Sequence, residues 1–359
     1  MIGDLFHFVA CQKKSSTELW ICTFNEKALA SVNLETGESH LIDGPSGFSV
    51  MGWAGSNIFL IKDEFLFLVE LTGRRLLKYN YKLESTQCYA FMKGHYNCSD
   101  LNYLLAFIFD GYVWVFPKYE SIIYAFDIDK NEVLEYDIGI NEQEKLDCKG
   151  EVVFIKALKK DLEVRLYSPN LKRVYTFNLS NKQIRYDSLP SNLSECLDIT
   201  IFDNIFFALT KKNEIYCWKE SELLAKKILD YSSIESGFSR IVATKVNLWI
   251  LPSRYNEILV YNYKKNRVEK YLDYPEGFAF NEENERQSRF YLSCEEDSIE
   301  YFSMCATSHM LYINKEDGKA EWLKINGPSM EEFVALYQKS KVGVVTEKML
   351  PLETFLNIL

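Results

Sequence analysis

At 359 residues, 47% hydrophobic and 26% charged, the chain carries enough apolar surface to bury a real core, which excludes a disordered protein. A formal net charge of −10 repels phosphate backbones, so no nucleic-acid partner is expected. No run approaches the ~18 continuous apolar residues of a membrane-spanning helix.

Aromatic residues reach 15%, with only 8 Pro and 16 Gly, and aromatic side chains suit pleated, half-buried strands. The chain opens MIGDLFHFVACQKK, whose short apolar run is broken by His7. That pattern fails as a signal peptide and predicts a first strand instead. Nine cysteines are scattered singly, with no C-x-x-C pair. This predicts reduced thiols, mostly small buried hydrophobes, and a cytoplasmic location.

Three segments align without gaps: LWICTFNEKALASVNLETGE from Leu19, VWVFPKYESIIYAFDIDKNE from Val113 and LWILPSRYNEILVYNYKKNR from Leu248. Trp20 and Trp114 lie 94 positions apart, and Trp114 and Trp249 lie 135 apart, or two and three units of about 46. A polar anchor with apolar or aromatic neighbours counts the weaker copies at Asn33, Asn80, Asp127, Asn178, Lys219, Asn262 and Asn314. The steps are 47, 47, 51, 41, 43 and 52, which makes seven units.

Within the third unit four strands are legible: LLAFIF, a turn at Asp110-Gly111, YVWVF, the loop PKYE, SIIYAFDI, the turn DKN, then EVLEYDI. Asp-Gly between apolar runs is a hairpin signal, and Asp203-Asn204 holds the matching place in the fifth unit. Four antiparallel strands per ~45 residues is a propeller blade. The expected fold is all-β: a seven-bladed β-propeller of four-stranded antiparallel blades over residues 1–328. The repeat-equivalent tryptophans are read as packing between blades.

The stretch NEILVYNYKKNRVEKYLDYP resembles the second half of a Kelch repeat, and DGKAEWLKI from Asp317 puts Trp322 at that family's closing tryptophan. The family's Gly-Gly pair is absent throughout. The resemblance therefore implies a degenerate Kelch-like shape and carries no function with it.

Residues 329–359 form the expected C-terminal tail of one or two short amphipathic helices. Ser329-Met330-Glu331-Glu332 reads as a capping box. Leu352, Phe355, Leu356 and Leu359 follow the i, i+3, i+4, i+7 spacing of an apolar stripe. Such a stripe either packs on the propeller or docks in a partner's groove.

Chemical motifs are missing. The four histidines, His7, His40, His95 and His309, show no metal-ligand spacing. Phosphate-cradling glycine loops, a nucleophile elbow and a calcium loop are absent, so no cofactor or metal is expected. Function then falls to loops on the rigid scaffold. The loops after each second strand are repeat-equivalent, and Lys118, Tyr119, Arg254 and Tyr255 are their best contact anchors, since Tyr and Arg dominate binding hot spots. His7, on a strand lining the channel, is a fifth candidate. The expectation is a non-catalytic scaffold that binds a protein or peptide. The alternative is a propeller enzyme or sensor acting on a carbohydrate or small metabolite in the central channel.

Overall fold

In a computed structural model of the chain, the described residues are 8–23, 29–42, 57–70, 74–83, 85–91, 102–141, 143–144, 152–189, 193, 195–219, 222–229, 237–280, 290–296, 298–304, 309–327, 329 and 331–332. They form seven four-stranded antiparallel meanders. Blade 1 runs from β1 (Phe8–Lys13) to β4 (Ser39–Ile42), blade 2 from β5 (Asn57–Lys62) to β8 (Ser85–Ala90), and blade 3 from β9 (Tyr103–Phe109) to β12 (Glu132–Asp137). Blade 4 spans β13 (Lys156–Lys160) to β16 (Ile184–Ser188), and blade 5 spans β17 (Cys196–Phe202) to β20 (Glu222–Ile228). Blade 6 spans β21 (Phe238–Ala243) to β24 (Arg267–Lys270), and blade 7 spans β25 (Phe290–Glu296) to β28 (Ala320–Lys324). First strands contact one another from blade 1 through blade 6, and that of blade 7 contacts blade 1, so they form the inner wall of a closed ring.

The core is divided among the blade interfaces. Each apolar cluster joins residues of two consecutive blades, as Trp114 and Phe116 of blade 3 meet Val164 and Phe177 of blade 4. Second and third strands are buried on both faces, whereas the outer β8 is almost wholly exposed. This explains the continuous apolar runs of the middle strands, because neighbouring blades cover both of their faces.

The polar anchors that counted the repeat have a local cause. The side-chain oxygen of Asn33 accepts the backbone N–H groups of Glu35 (2.8 Å) and Thr36 (3.0 Å). Asn80 does the same for Lys82 and Leu83, Asp127 for Asp129 and Lys130, and Asn178 for Ser180 and Asn181. Each is an Asx turn that shapes the reversal between third and outer strand. Lys219 is the exception because β20 begins at Glu222, and so short a turn leaves no such amides to anchor.

The tryptophans touch the next blade. Trp20 meets Tyr81 edge-on at 6.4 Å, Lys182 sits 4.4 Å from the Trp114 ring centre, and Trp249 Nε1 donates to the Gly318 carbonyl at 3.3 Å. Blade 7 reaches blade 1 in the same manner. Asn326 N donates to the Gly37 carbonyl, and the Asn326 carbonyl accepts from Ser39 N and Oγ. No strand is exchanged across this seam, so side-chain packing and the short Glu38–Asn326 bridge close the ring.

The inner strands would each present an unpaired edge to the channel. Side chains of the preceding blade cover part of it. Gln12 accepts from Ile61 N at 2.5 Å, Asp198 from Ile241 N at 3.0 Å and Thr200 from Ala243 N at 3.5 Å.

The thiols at Cys88, Cys196 and Cys217 are free, as expected, but Cys11 is disulfide-bonded. Spacing along the chain does not report which thiols the ring brings together. At the tail, Ser329 N donates to Glu332 (2.9 Å) and Glu332 N to Ser329 Oγ (3.2 Å), the reciprocal bonds of the capping box. Among the described residues no helix is long and apolar enough to cross a membrane.

Candidate functional site: the upper mouth

The two ends of the ring differ. At the lower end, first and second strands join by tight turns that need positive φ, which Asp63, Asp110, Gly111, Asp161, Asp203 and Asn204 provide. At the upper end lie the loops between second and third strands and the connections from blade to blade. These two sets are tied together. Lys118 N donates to the Asn102 carbonyl (2.7 Å), Lys211 N to Glu195 (3.0 Å) and Ser253 N to Gly237 (2.9 Å), each spanning the same sequence distance.

Lys118 and Tyr119 stand in the upper loop of blade 3. The Lys118 carbonyl also accepts from Phe154 N at 2.8 Å, so its backbone is held from both flanking connections. The Lys118 ammonium lies 4.9 Å from the Tyr119 ring centre. Below them Glu120 is buried and accepts from Tyr124 Oη at 3.3 Å. Phe91 stacks on Tyr124 at 4.5 Å, and Tyr103 meets both edge-on. Burial raises the Glu120 carboxyl to about 8, against the opposing pull of the Tyr124 bond and the Arg74 charge. At neutral pH it is therefore largely protonated, and the loop presents the Lys118 charge without a compensating anion of its own.

Arg254 is exposed on the corresponding loop of blade 6. There Ser253 N and Arg254 N both donate to the Gly237 carbonyl. Tyr255 is half-buried, its ring 5.0 Å from Phe238 and laid over Gly237, where a Cβ would come within 1.9 Å of it. Tyr255 therefore holds the loop in place while Arg254 projects from it. Lys118 and Arg254 belong to one mouth but to different sectors of the ring. His7, Leu352, Phe355, Leu356 and Leu359 lie outside the described residues.

The inner wall adds a charged cluster that no sequence motif announces. The Asp198 side chain on β17 is fully buried, with Oδ1 3.1 Å from Lys156 Nζ on β13 and 3.9 Å from Arg240 on β21. Both cations retain some exposure. They are contacts of charge: the aligned hydrogen bond of this carboxylate is the one from Ile241 N. The cluster carries one net positive charge near the upper ends of three consecutive inner strands. A signal existed in the sequence, since Lys156, Asp198 and Arg240 recur at 42-residue intervals, near the blade repeat.

No protein-family pattern and no curated protein sequence matches the chain. Its shape is similar to several solved propellers. Virginiamycin B lyase from Staphylococcus aureus, in a catalytically inactive form with quinupristin, superposes with a TM-score of 0.57 at 13% identity, covering 85% of this chain and 94% of that one. Hsv2 from Kluyveromyces lactis gives 0.50 at 10% identity, covering 89% and 99%. BamB from Moraxella catarrhalis gives 0.50 at 10%, covering 84% and 80%. A lyase stands among these neighbours, so at these identities the likeness establishes the fold and no activity.

Proposed function

We propose that this chain is a non-catalytic, cytoplasmic binding scaffold, a degenerate Kelch-like propeller that recognises a protein or peptide at its upper mouth. The observation that carries this reading is the construction of the blade 3 loop. Its backbone is hydrogen-bonded to both neighbouring connections, and its base is a buried carboxyl–tyrosine cluster. A loop so held loses little freedom when a partner docks, and preorganisation of this kind favours affinity. Lys118 and Tyr119 offer charge and aromatic area together, and Arg254 offers a second anchor on the same mouth.

Photo-crosslinking residues placed at Tyr119 and Arg254 test this in host extract, with Leu83 on the lower turns as the control. A protein captured from the two upper positions and not from Leu83 is the expected result. Alanine at both Lys118 and Tyr119 should then weaken the captured complex by about 1–3 kcal/mol. Capture that is equal at all three positions, or absent at all three, overturns the proposal.

A further inference from the structure

The upper loops share a property that single residues do not reveal. Lys118, Lys172, Lys211, Lys212 and Arg254 come from the loops of four consecutive blades, 3 to 6, and all but the half-buried Lys118 are exposed. The acids of these loops are engaged inside the fold: Glu120 is buried on Tyr124, and Glu257 pairs with Lys270 at 2.7 Å. In the adjoining connections Glu195 faces Lys212 at 3.6 Å, and Glu144 pairs with Arg173. Exposed acids reappear beyond blade 6, at Asp273 and Glu276. At the lower mouth the signs interleave, with Lys62 beside Asp63 and Lys160 beside Asp161. A continuous arc of cations on a chain of net charge −10 is therefore a local feature of one mouth.

Lys156 and Arg240 extend the arc inward. Asp198 neutralises one of their two charges and leaves the other toward the channel.

We infer that the partner bound at this mouth presents a carboxylate-rich, extended segment, lying along the loops of blades 3 to 6 with an acidic group directed toward Lys156 and Arg240. This rests on the scaffold reading above and specifies its partner. Charge complementarity selects partners and speeds encounter, and it acts over the width of such an arc. A nucleic acid is also anionic, but its regular phosphates would continue past the arc onto a body of net negative charge.

The test uses the full chain and three fluorescein-labelled probes in anisotropy titrations: an alternating Glu-Ser peptide, its Gln-Ser counterpart, and oligouridylate of equal charge. Two variants are compared with the unaltered protein after melting curves establish that all three are folded. One reverses the arc, K118E/K172E/K211E/K212E/R254E. The other reverses five lysines on the lower turns, K82E/K130E/K264E/K265E/K319E. The Glu peptide should bind the unaltered protein and the lower-turn variant, and bind the arc variant roughly tenfold more weakly or worse. Its affinity should fall as salt rises, and the Gln peptide should not bind. Equal binding to both variants, no binding to the unaltered protein, or preference for oligouridylate overturns the inference. The crosslink at Arg254 separates the two claims. A protein still captured in the presence of excess Glu peptide removes the acidic partner and keeps the scaffold. No captured protein removes both.

Discussion

Glu120 and Asp198 are both carboxyl groups out of solvent, and their surroundings assign them opposite roles. Asp198 has two cations and a backbone amide, so it stays in the ring as a charge that bonds blade 5 to blade 6. Glu120 has one tyrosine hydroxyl in an aromatic pocket, and burial lifts its carboxyl to about 8. The unfolded carboxyl titrates near 4.5, so between that pH and about 8 the folded chain holds one proton more than the unfolded chain. Stability from this group is full below pH 4.5 and is lost as pH rises through 8. Melting temperature should therefore fall between pH 5 and pH 8.5, and Glu120→Gln should flatten that decline without lowering stability at pH 5. A variant whose melting curve keeps the same slope would assign the pH dependence elsewhere. Truncating Asp198 to Ala leaves two partly buried cations unpaired and Ile241 N unbonded. Denaturant unfolding should register a loss of about 3–5 kcal/mol, whereas the same change at the exposed Asp129 should cost little.

At the level of the element, the hairpin reversals explain why so divergent a repeat is countable. The side chains of Asn33, Asn80, Asp127 and Asn178 close their own turns, so the requirement is local and recurs in every blade with that turn length. Asn80→Ala removes two such bonds and should destabilise by about 1–2 kcal/mol in thermal or denaturant unfolding. A lysine already stands at the equivalent Lys219, so Lys219→Ala should be nearly neutral by the same measurement. The aspartates at first-to-second-strand turns follow the same logic, since Asp63, Asp110, Asp161 and Asp203 hold positive φ. Upper loops have no such shared backbone demand. Their sequences are free to differ from blade to blade, and a row of like charges there is not explained by turn geometry.

Across the whole molecule, the ring depends on its seam. Each blade interface buries an apolar cluster, but blades 7 and 1 join without an exchanged strand, through one cluster and the contact of Gly37 with the chain after β28. Gly37 has φ +73°, and a Cβ there would lie 2.0 Å from the Lys324 carbonyl oxygen. Gly37→Ala should therefore cost more than the ~1 kcal/mol of a simple positive-φ penalty and raise hydrogen exchange first in β4 and β28. Gly111→Ala is the comparison, because its Cβ would meet nothing within 4 Å at a similar φ. Equal losses in the two variants would show that the seam is not special.

Local chemistry made much of this legible from the chain alone. Seven units, four strands in each, the Asp110-Gly111 and Asp203-Asn204 turns, the tryptophans between blades and the capping box at Ser329 all depend on interactions within one hairpin or one repeat. The periodicity of the sequence reports these directly. Lys118, Tyr119 and Arg254 fall on one mouth for the same reason, as repeat-equivalent loops. Tertiary structure alone decided what those loops rest on: the pocket of Glu120, the meeting of Lys156, Asp198 and Arg240 from three blades, and the disulfide at Cys11. These join positions tens of residues apart or more, and no local pattern specifies their distance or burial. The charge of the mouth belongs with them, because it is a sum over four loops that become neighbours only when the ring closes.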